Sequence, residues 1–233
     1  TGVAAANYSG PALVVSFAIA GTACVFAALC YAEFATLVPI AGSAYTYSYA
    51  SLGEIWAWII GWDLILEYSV SIAAVAIGWS GYMVNLLAGA GITLPAALAN
   101  PPGVSGGIVN LPAILIIGAI TGLLILGVRE SATVNNAIVL VKLSVILLFI
   151  YLGVSHVNPV NWTPFFPYGW SGVVTGAAIV FFAYIGFDAV STAAEEVRDP
   201  QKNLPTGIIG SLLISTVLYL VVSALLTGLV PYL

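Results

Sequence analysis

The chain has 233 residues, 61% hydrophobic and only 6% charged, with four Lys and Arg, nine Asp and Glu, and a net charge of −5. Soluble domains carry about 25% charged residues, so lipid rather than water must surround most of this chain. Four basic residues make no patch for nucleic acid, and two Cys with one His make no metal-ligand cluster at a known spacing.

A membrane span needs about 20 apolar residues. The first reads from about Pro11 to Leu37, and its Cys24 and Cys30 fall on different helix faces, too far apart for a disulfide. Val38 to Leu52 reads as a loop. The second span, Gly53 to Leu87, is long enough to tilt or project from the bilayer. A Gly- and Pro-containing loop, Ala88 to Asn110, leads to a third span, Leu111 to Val128, and a fourth, Ala132 to Val154. Asn158 to Gly169 is rich in Pro and aromatics and suits an interface. The fifth span, Trp170 to Val197, is interrupted, and the sixth runs from Leu204 to Val230. The chain opens on Thr1-Gly2-Val3 without a basic leader and closes directly after an apolar run, so both ends read as cut.

Six spans put both ends on one side. Arg129, Arg198 and Lys202 fall in loops of the other side, which the positive-inside rule makes cytoplasmic, and His156 falls outside. Asn7-Tyr8-Ser9 and Asn161-Trp162-Thr163 match the N-glycosylation pattern but hug the membrane, and read as chance matches.

The interruption is Phe181-Phe182-Ala183-Tyr184-Ile185-Gly186-Phe187-Asp188. Lipid satisfies no backbone group, so Gly and Asp at that depth need a reason. A helix broken near mid-bilayer frees backbone groups toward a substrate, as in many secondary transporters. The expectation is non-helical backbone within Ala183 to Phe187, with the carbonyls of Phe182, Ala183 and Ile185 unpaired within the chain. Asp188 is expected to cap the second half-helix.

Lys142 lies about ten residues into the fourth span, roughly 15 Å at 1.5 Å per residue. A charge there costs about 2.5–3.5 kcal/mol on insertion scales. Desolvation disfavours the ammonium, and a lysine that can release its proton is a natural coupling element. The structural alternative is a permanently charged Lys bonded to carbonyls of an unwound neighbour. Asp63 and Glu67, at i and i+4, share a face of the second span. Their functional reading is a proton relay or a recognition site for a cationic substrate; hydrogen bonding that pins the helix is favoured over it for Asp63 and stands equally beside it for Glu67. Glu33, Glu195 and Glu196 lie near span ends and read as partners of Arg129, Arg198 or Lys202.

Four segments carry a resemblance. They are Tyr31-Ala32-Glu33-Phe34 through Pro39-Ile40-Ala41-Gly42-Ser43-Ala44-Tyr45-Thr46-Tyr47; Gly127-Val128-Arg129-Glu130-Ser131 with Val134-Asn135-Asn136; Phe182 through Asp188; and Glu195-Glu196 with Asn203-Leu204-Pro205. In this order and spacing the whole chain resembles the amino acid–polyamine–organocation superfamily, specifically the bacterial relatives of cationic amino acid transporters.

The resemblance implies an all-α membrane protein of the leucine-transporter-like inverted-repeat fold, of which this chain is a fragment covering about helices two to seven. Residues 1–155 would hold the end of the first helix and helices two to five of the first repeat. Residues 156–233 would hold the broken sixth helix and the seventh. The first-helix break and helices eight to twelve would be partners elsewhere in the same protein. By the same resemblance the substrate-binding segment is Phe182, Ala183, Tyr184, Ile185 and Gly186: the carbonyls of Phe182, Ala183 and Ile185 take the substrate's amino group, and the Phe182 ring gates it. Lys142 matches the lysine that stands where sodium-coupled relatives bind sodium.

The expected function is amino acid transport by alternating access across a bacterial plasma membrane, coupled to protons through Lys142, with Glu67 as the next candidate. The alternatives are an exchanger or facilitator without proton coupling, and a sensor that binds amino acids without carrying them. No cofactor is implied. No nucleophile–base pair is visible, which argues against an enzyme.

Overall fold

A computed structural model describes residues 1–126 and 128–232, leaving aside the side chains of Val128 to Ser131. Gly127 and the Arg129 side chain, used above for the resemblance and the orientation, therefore lie outside the described residues. All regular structure among the described residues is helical. Among the described residues, five helical stretches are long and apolar enough to cross a membrane: Gly2–Leu37, Glu54–Gly89, Ala132–Val154, Gly169–Glu196 and Pro200–Leu229. Leu111–Leu126 is a shorter apolar helix. The chain is thus an integral, multi-pass membrane protein.

The first stretch begins earlier than the apolar pattern suggests and is not one rod. Helix α1 (Gly2–Ala4) continues as a π turn through Ser9, and a 3-10 turn leads into α2 (Leu13–Leu37). Between them Gly10 adopts φ 56°, ψ −141°, which a side chain would resist. A Cβ on Gly10 would also stand 2.3 Å from Pro167.

After α2 come α3 (Ala44–Leu52), α4 (Glu54–Gly89), a four-residue α5 (Ala96–Ala99), α6 (Leu111–Leu126), α7 (Val128–Val154), α8 (Gly169–Val180) and α9 (Pro200–Leu229). The loop expected over Val38 to Leu52 is therefore mostly a helix. Ser43 precedes it at φ 53°, and Gly53 ends it at φ 96°. Pro200 opens α9 from Asp199, whose carbonyl accepts from the amides of Lys202 and Asn203 at 3.0 Å each.

The chain divides into two compact units, Thr1–Trp62 with Val145–Leu233, and Asp63–Ser144. In the first, α2 presents a face of small residues, Ala20, Cys24, Ala28, Ala32 and Ala35, all buried. Their spacing of three and four residues is one helix face. Against it α9 sets Leu204, Ile208 and Leu212. Small side chains let membrane helices approach closely, where dispersion and hydrogen bonds replace the missing hydrophobic drive.

The contact of α8 with the first residues is closer still. Ser16 Oγ donates to the Val173 carbonyl at 2.8 Å and shares a hydrogen bond of the same length with Ser9 Oγ. Gly172 and Gly176, four apart on α8, face this serine pair. A Cβ on Gly172 would lie 2.1 Å from the Tyr8 carbonyl oxygen, and one on Gly176 1.8 Å from Ser9 Oγ.

One end of this unit gathers the segment before α2, the loop after α7 and the end of α9. The Tyr168 hydroxyl donates to the Ala6 carbonyl, and its ring meets Tyr232 at 6.4 Å. Asn161 Nδ2 donates to the Gly228 carbonyl at 2.8 Å. That amide nitrogen is the atom a glycan would need, and it is already engaged.

In the second unit Asn110 caps α6. Its Oδ1 accepts from the Ala113 amide at 3.1 Å and from Ser80 Oγ of α4 at 2.6 Å. The Ile108 and Val109 amides both donate to the Ala97 carbonyl at 2.9 Å, which folds the loop back on α5.

Candidate functional site

The break lies where the Gly and Asp signal puts it. The α-helix stops at Val180, a 3-10 turn covers Phe181–Tyr184, and a second 3-10 stretch runs Asp188–Glu196. Between them Ile185 is extended at φ −55°, ψ 134°, and Gly186 takes φ 106°. No heavy atom lies within 4 Å of a Cβ built on Gly186, so its backbone angle and not crowding calls for glycine.

Two tyrosines hold the break. Tyr184 points into the core and its hydroxyl donates to the Phe17 carbonyl at 3.0 Å. Gly21 leaves the room, since a Cβ there would sit 2.8 Å from that hydroxyl. Tyr219 of α9 donates to the Ala183 carbonyl at 2.9 Å. Phe17, Tyr184 and Tyr219 form a three-ring cluster with centroids 5.2 to 6.3 Å apart.

Two of the expected free carbonyls are therefore paired. Phe182 O accepts from the Ile185 amide at 3.4 Å, and Ala183 O accepts from Tyr219. A backbone group in an apolar interior takes whatever donor is at hand, and the unwound turn and a mid-helix Tyr supply them. A carbonyl has two lone pairs, so neither bond closes the acceptor to a second donor. The Phe182 ring is exposed, while Tyr184 is committed to the core. Of the five residues expected to bind substrate, Tyr184 thus contributes its side chain to anchoring.

Asp188 stands one residue further in than a cap. Phe187 holds the N-cap position, and Asp188 is buried in the first turn, where a carboxylate meets the positive end of the helix. Its carbonyl accepts from Ser191 Oγ at 2.6 Å.

The short helix α3 packs on α2, whose Tyr31 reaches on to this second half. Tyr47 stacks on Phe34 at 5.3 Å and meets Tyr31 edge-on at 5.9 Å, and Tyr31 in turn meets Phe187 at 5.8 Å. Ser43 Oγ is buried with no hydrogen-bond partner among the described residues, and the Tyr47 hydroxyl is buried beside the Ser191 side chain. Burial raises the Tyr47 phenol above its ordinary range, the neighbouring Ser191 opposing this, so the hydroxyl keeps its proton.

Lys142 is exposed on α7, and on α4 Asp63 is exposed while Glu67 is half-buried and engaged with its surroundings. These three belong to the second unit and the break to the first. Glu195 and Glu196 are exposed and form no ion pair with Arg198 or Lys202 among the described residues. Water or headgroups solvate charges at helix ends cheaply, so the expected bridges have little to gain.

The sequence reading missed Tyr219, Gly21 and the Gly172/Gly176 pair. The signals were present: a phenol in mid-span needs a partner, and glycines four apart mark a close helix crossing.

Comparison with known proteins gives a consistent picture. The family model described as amino acid permease matches residues 1–232. The chain is 56% identical over 233 residues to the methylthioribose transporter of Bacillus subtilis, covering all of this chain and 50% of that protein. It is 56% identical over 227 residues to the branched-chain amino acid permease BcaP of the same organism, covering 96% and 49%. It is 42% identical over 239 residues to the vacuolar cationic amino acid transporter 4 of Arabidopsis thaliana, covering 99% and 40%. The chain spans about half the length of the bacterial relatives it matches.

Proposed function

The chain belongs to the amino acid permease family, and from that premise we propose that it forms part of a proton-coupled secondary transporter for amino acids, working by alternating access in a bacterial plasma membrane. The observation that carries this reading is the break at Ile185 and Gly186 inside an apolar span, pinned by Tyr184 to α2 and by Tyr219 to α9. Anchored on both sides, the turn stays open without collapsing into continuous helix. The substrate's ammonium then lies against the carbonyls of Phe182, Ala183 and Ile185, sharing Ala183 O with Tyr219. Gly186 lets the chain turn there, and the exposed Phe182 ring covers the ligand. Residues 1–155 and 156–233 divide between the two inverted repeats, and the remaining helices of the permease complete the site. Lys142 carries the coupling proton, with Glu67 as the other candidate.

Reconstituted full-length protein tests this. Preloaded liposomes should show counterflow of a labelled amino acid, and an acid-outside pH gradient should drive net uptake. The panel includes branched-chain and cationic amino acids and methylthioribose, because relatives bear those names. Absence of counterflow for every amino acid refutes a carrier of amino acids. Counterflow without net uptake driven by the pH gradient makes it an exchanger or facilitator.

Orientation follows the basic residues. Arg198 and Lys202 face the cytoplasm, with α3, while His156 lies outside. Cysteines placed at the exposed Ser155 and Gln201 should label unequally in intact cells with an impermeant maleimide: Ser155→Cys strongly, Gln201→Cys weakly. Equal labelling would defeat this orientation.

A further inference from the structure

We infer that the exposed face of α8 is divided lengthwise, and that its aromatic flank, continued by Phe165 and Phe166 of the preceding loop, lies in lipid with its rim at the membrane–water interface. The inference goes beyond the transport reading and does not depend on it. Three rings make the rim. Phe165 meets Phe166 edge-on at 5.0 Å, and Phe166 lies 5.3 Å from Trp170. All three are exposed, Trp170 to 66%. Their backbone is fixed from behind. The Asn158 amide and Asn161 Nδ2 both donate to the Gly228 carbonyl, at 2.9 and 2.8 Å, and the Tyr168 hydroxyl donates to the Ala6 carbonyl. A held loop thus presents the rings outward.

The surface continues down the span. Trp170 and Val174, four apart, stand one above the other on α8, and Val174 is 59% exposed. The exposed Phe181, about three turns on, returns to the same line. Roughly 100° round the helix from Trp170 runs a second exposed line of small and polar residues, Ser171, Thr175 and Ala178. Val173, Ala177 and Val180 hold the buried side.

The two lines suit different neighbours. Helices pack on one another in a membrane through Gly, Ala, Ser and Thr, whose size lets backbones approach. The Ser171, Thr175 and Ala178 line has that composition, and Thr175 already donates to the Ser171 carbonyl at 2.9 Å. The Trp170, Val174 and Phe181 line has large side chains and no hydroxyl. Trp gathers where headgroups meet hydrocarbon, while Val and Phe favour the hydrocarbon itself. The order along α8 is the same, with Trp170 in its first turn and Val174 about 6 Å further in. No charged residue occurs between His156 and Asp188, so nothing on the loop or the flank draws the rings into water. An apolar surface continuous with the outside of a span has lipid as its occupant.

Spin labels on single cysteines test this in full-length protein, its own cysteines replaced, in liposomes. Oxygen concentrates in lipid and a charged nickel chelate in water, so collision with each reports what covers a site. At Phe166→Cys, Trp170→Cys and Val174→Cys oxygen should win, and its margin should grow from Trp170 to Val174. Gln201→Cys supplies the reference for water. Thr175→Cys should collide with oxygen less than its neighbour Val174→Cys. A site on the flank that favours the nickel chelate is in water, and the inference falls. Low collision with both agents there means that protein, either the rest of the permease or a second copy, covers the flank, and the inference falls equally. Equal oxygen collision at Val174→Cys and Thr175→Cys removes the division of the face and overturns it too. Val174→Cys replaces one exposed apolar side chain by another, so a folding failure of the aromatic variants leaves the test standing.

Discussion

Alanine at Gly176 is expected to lower the melting temperature of the purified protein, although alanine is the better helix former. By propensity alone Gly→Ala in a helix interior gains up to about 1 kcal/mol. At Gly176 the new Cβ would stand 1.8 Å from Ser9 Oγ and 2.9 Å from Ser16 Oγ. Neither serine is free to swing away, because Ser16 is bonded to the Val173 carbonyl and Ser9 to Ser16. Overpacking of this kind costs about 1–3 kcal/mol, and a broken buried hydrogen bond adds about 1–3 kcal/mol for each group left unpaired. The net loss of several degrees is read by thermal unfolding in detergent. Ser9→Ala removes the nearest clashing atom, so the loss from Gly176→Ala should shrink in that background. Strict additivity of the two substitutions would mean that the serine is not what the methyl group meets. Gly172→Ala should be at least as damaging, since its 2.1 Å contact is to the Tyr8 backbone oxygen and no rotamer relieves it.

Replacing Lys142 by Met should abolish the acceleration of uptake at acid pH while leaving substrate binding measurable. Methionine keeps an unbranched stem of similar length and removes the charge, so packing and coupling are separated. A charge at the centre of a span costs about 2.5–3.5 kcal/mol on insertion scales, which favours a role that uses it. Uptake into proteoliposomes across a range of external pH gives the profile, and a ligand-induced rise in melting temperature reports binding. A Met variant that keeps the parent's full response to acid would remove Lys142 from the coupling step and turn attention to Glu67→Gln. If neither substitution alters the profile, exchange or facilitated diffusion replaces symport.

The spans and the break were legible because the bilayer imposes one rule: every backbone amide needs a partner inside the chain. Length of apolar run then fixes helices, and Gly186 with Asp188 in such a run marks where the rule is suspended. What stayed hidden depends on partners distant in sequence. Nothing near Ala183 says that Tyr219 will take its carbonyl. Helix α3 escaped because nine residues, three of them Ser or Thr and three of them Tyr, give no span-length apolar run. Its stability comes from Tyr47 docking on Phe34 and Tyr31. The helical segment before Pro11 was too short for a span and needed α8 to explain its small, serine-bearing surface. The relation of Lys142 to the break is carried by neither its depth nor its helix.

The bonds that close the first unit join residues 157 to 167 positions apart: Ser16 to Val173, Tyr184 to Phe17, Tyr168 to Ala6. A ribosome adding about 5–20 residues per second needs roughly 8–30 s to cover such a distance. For that interval α2 is already in the membrane with its small-residue face and its serines unmatched, while Asp63 to Ser144 are being threaded in behind it. A nascent chain in this position offers neighbouring proteins a ready-made docking stripe. The insertion machinery or a chaperone must shield it until α8 and α9 arrive.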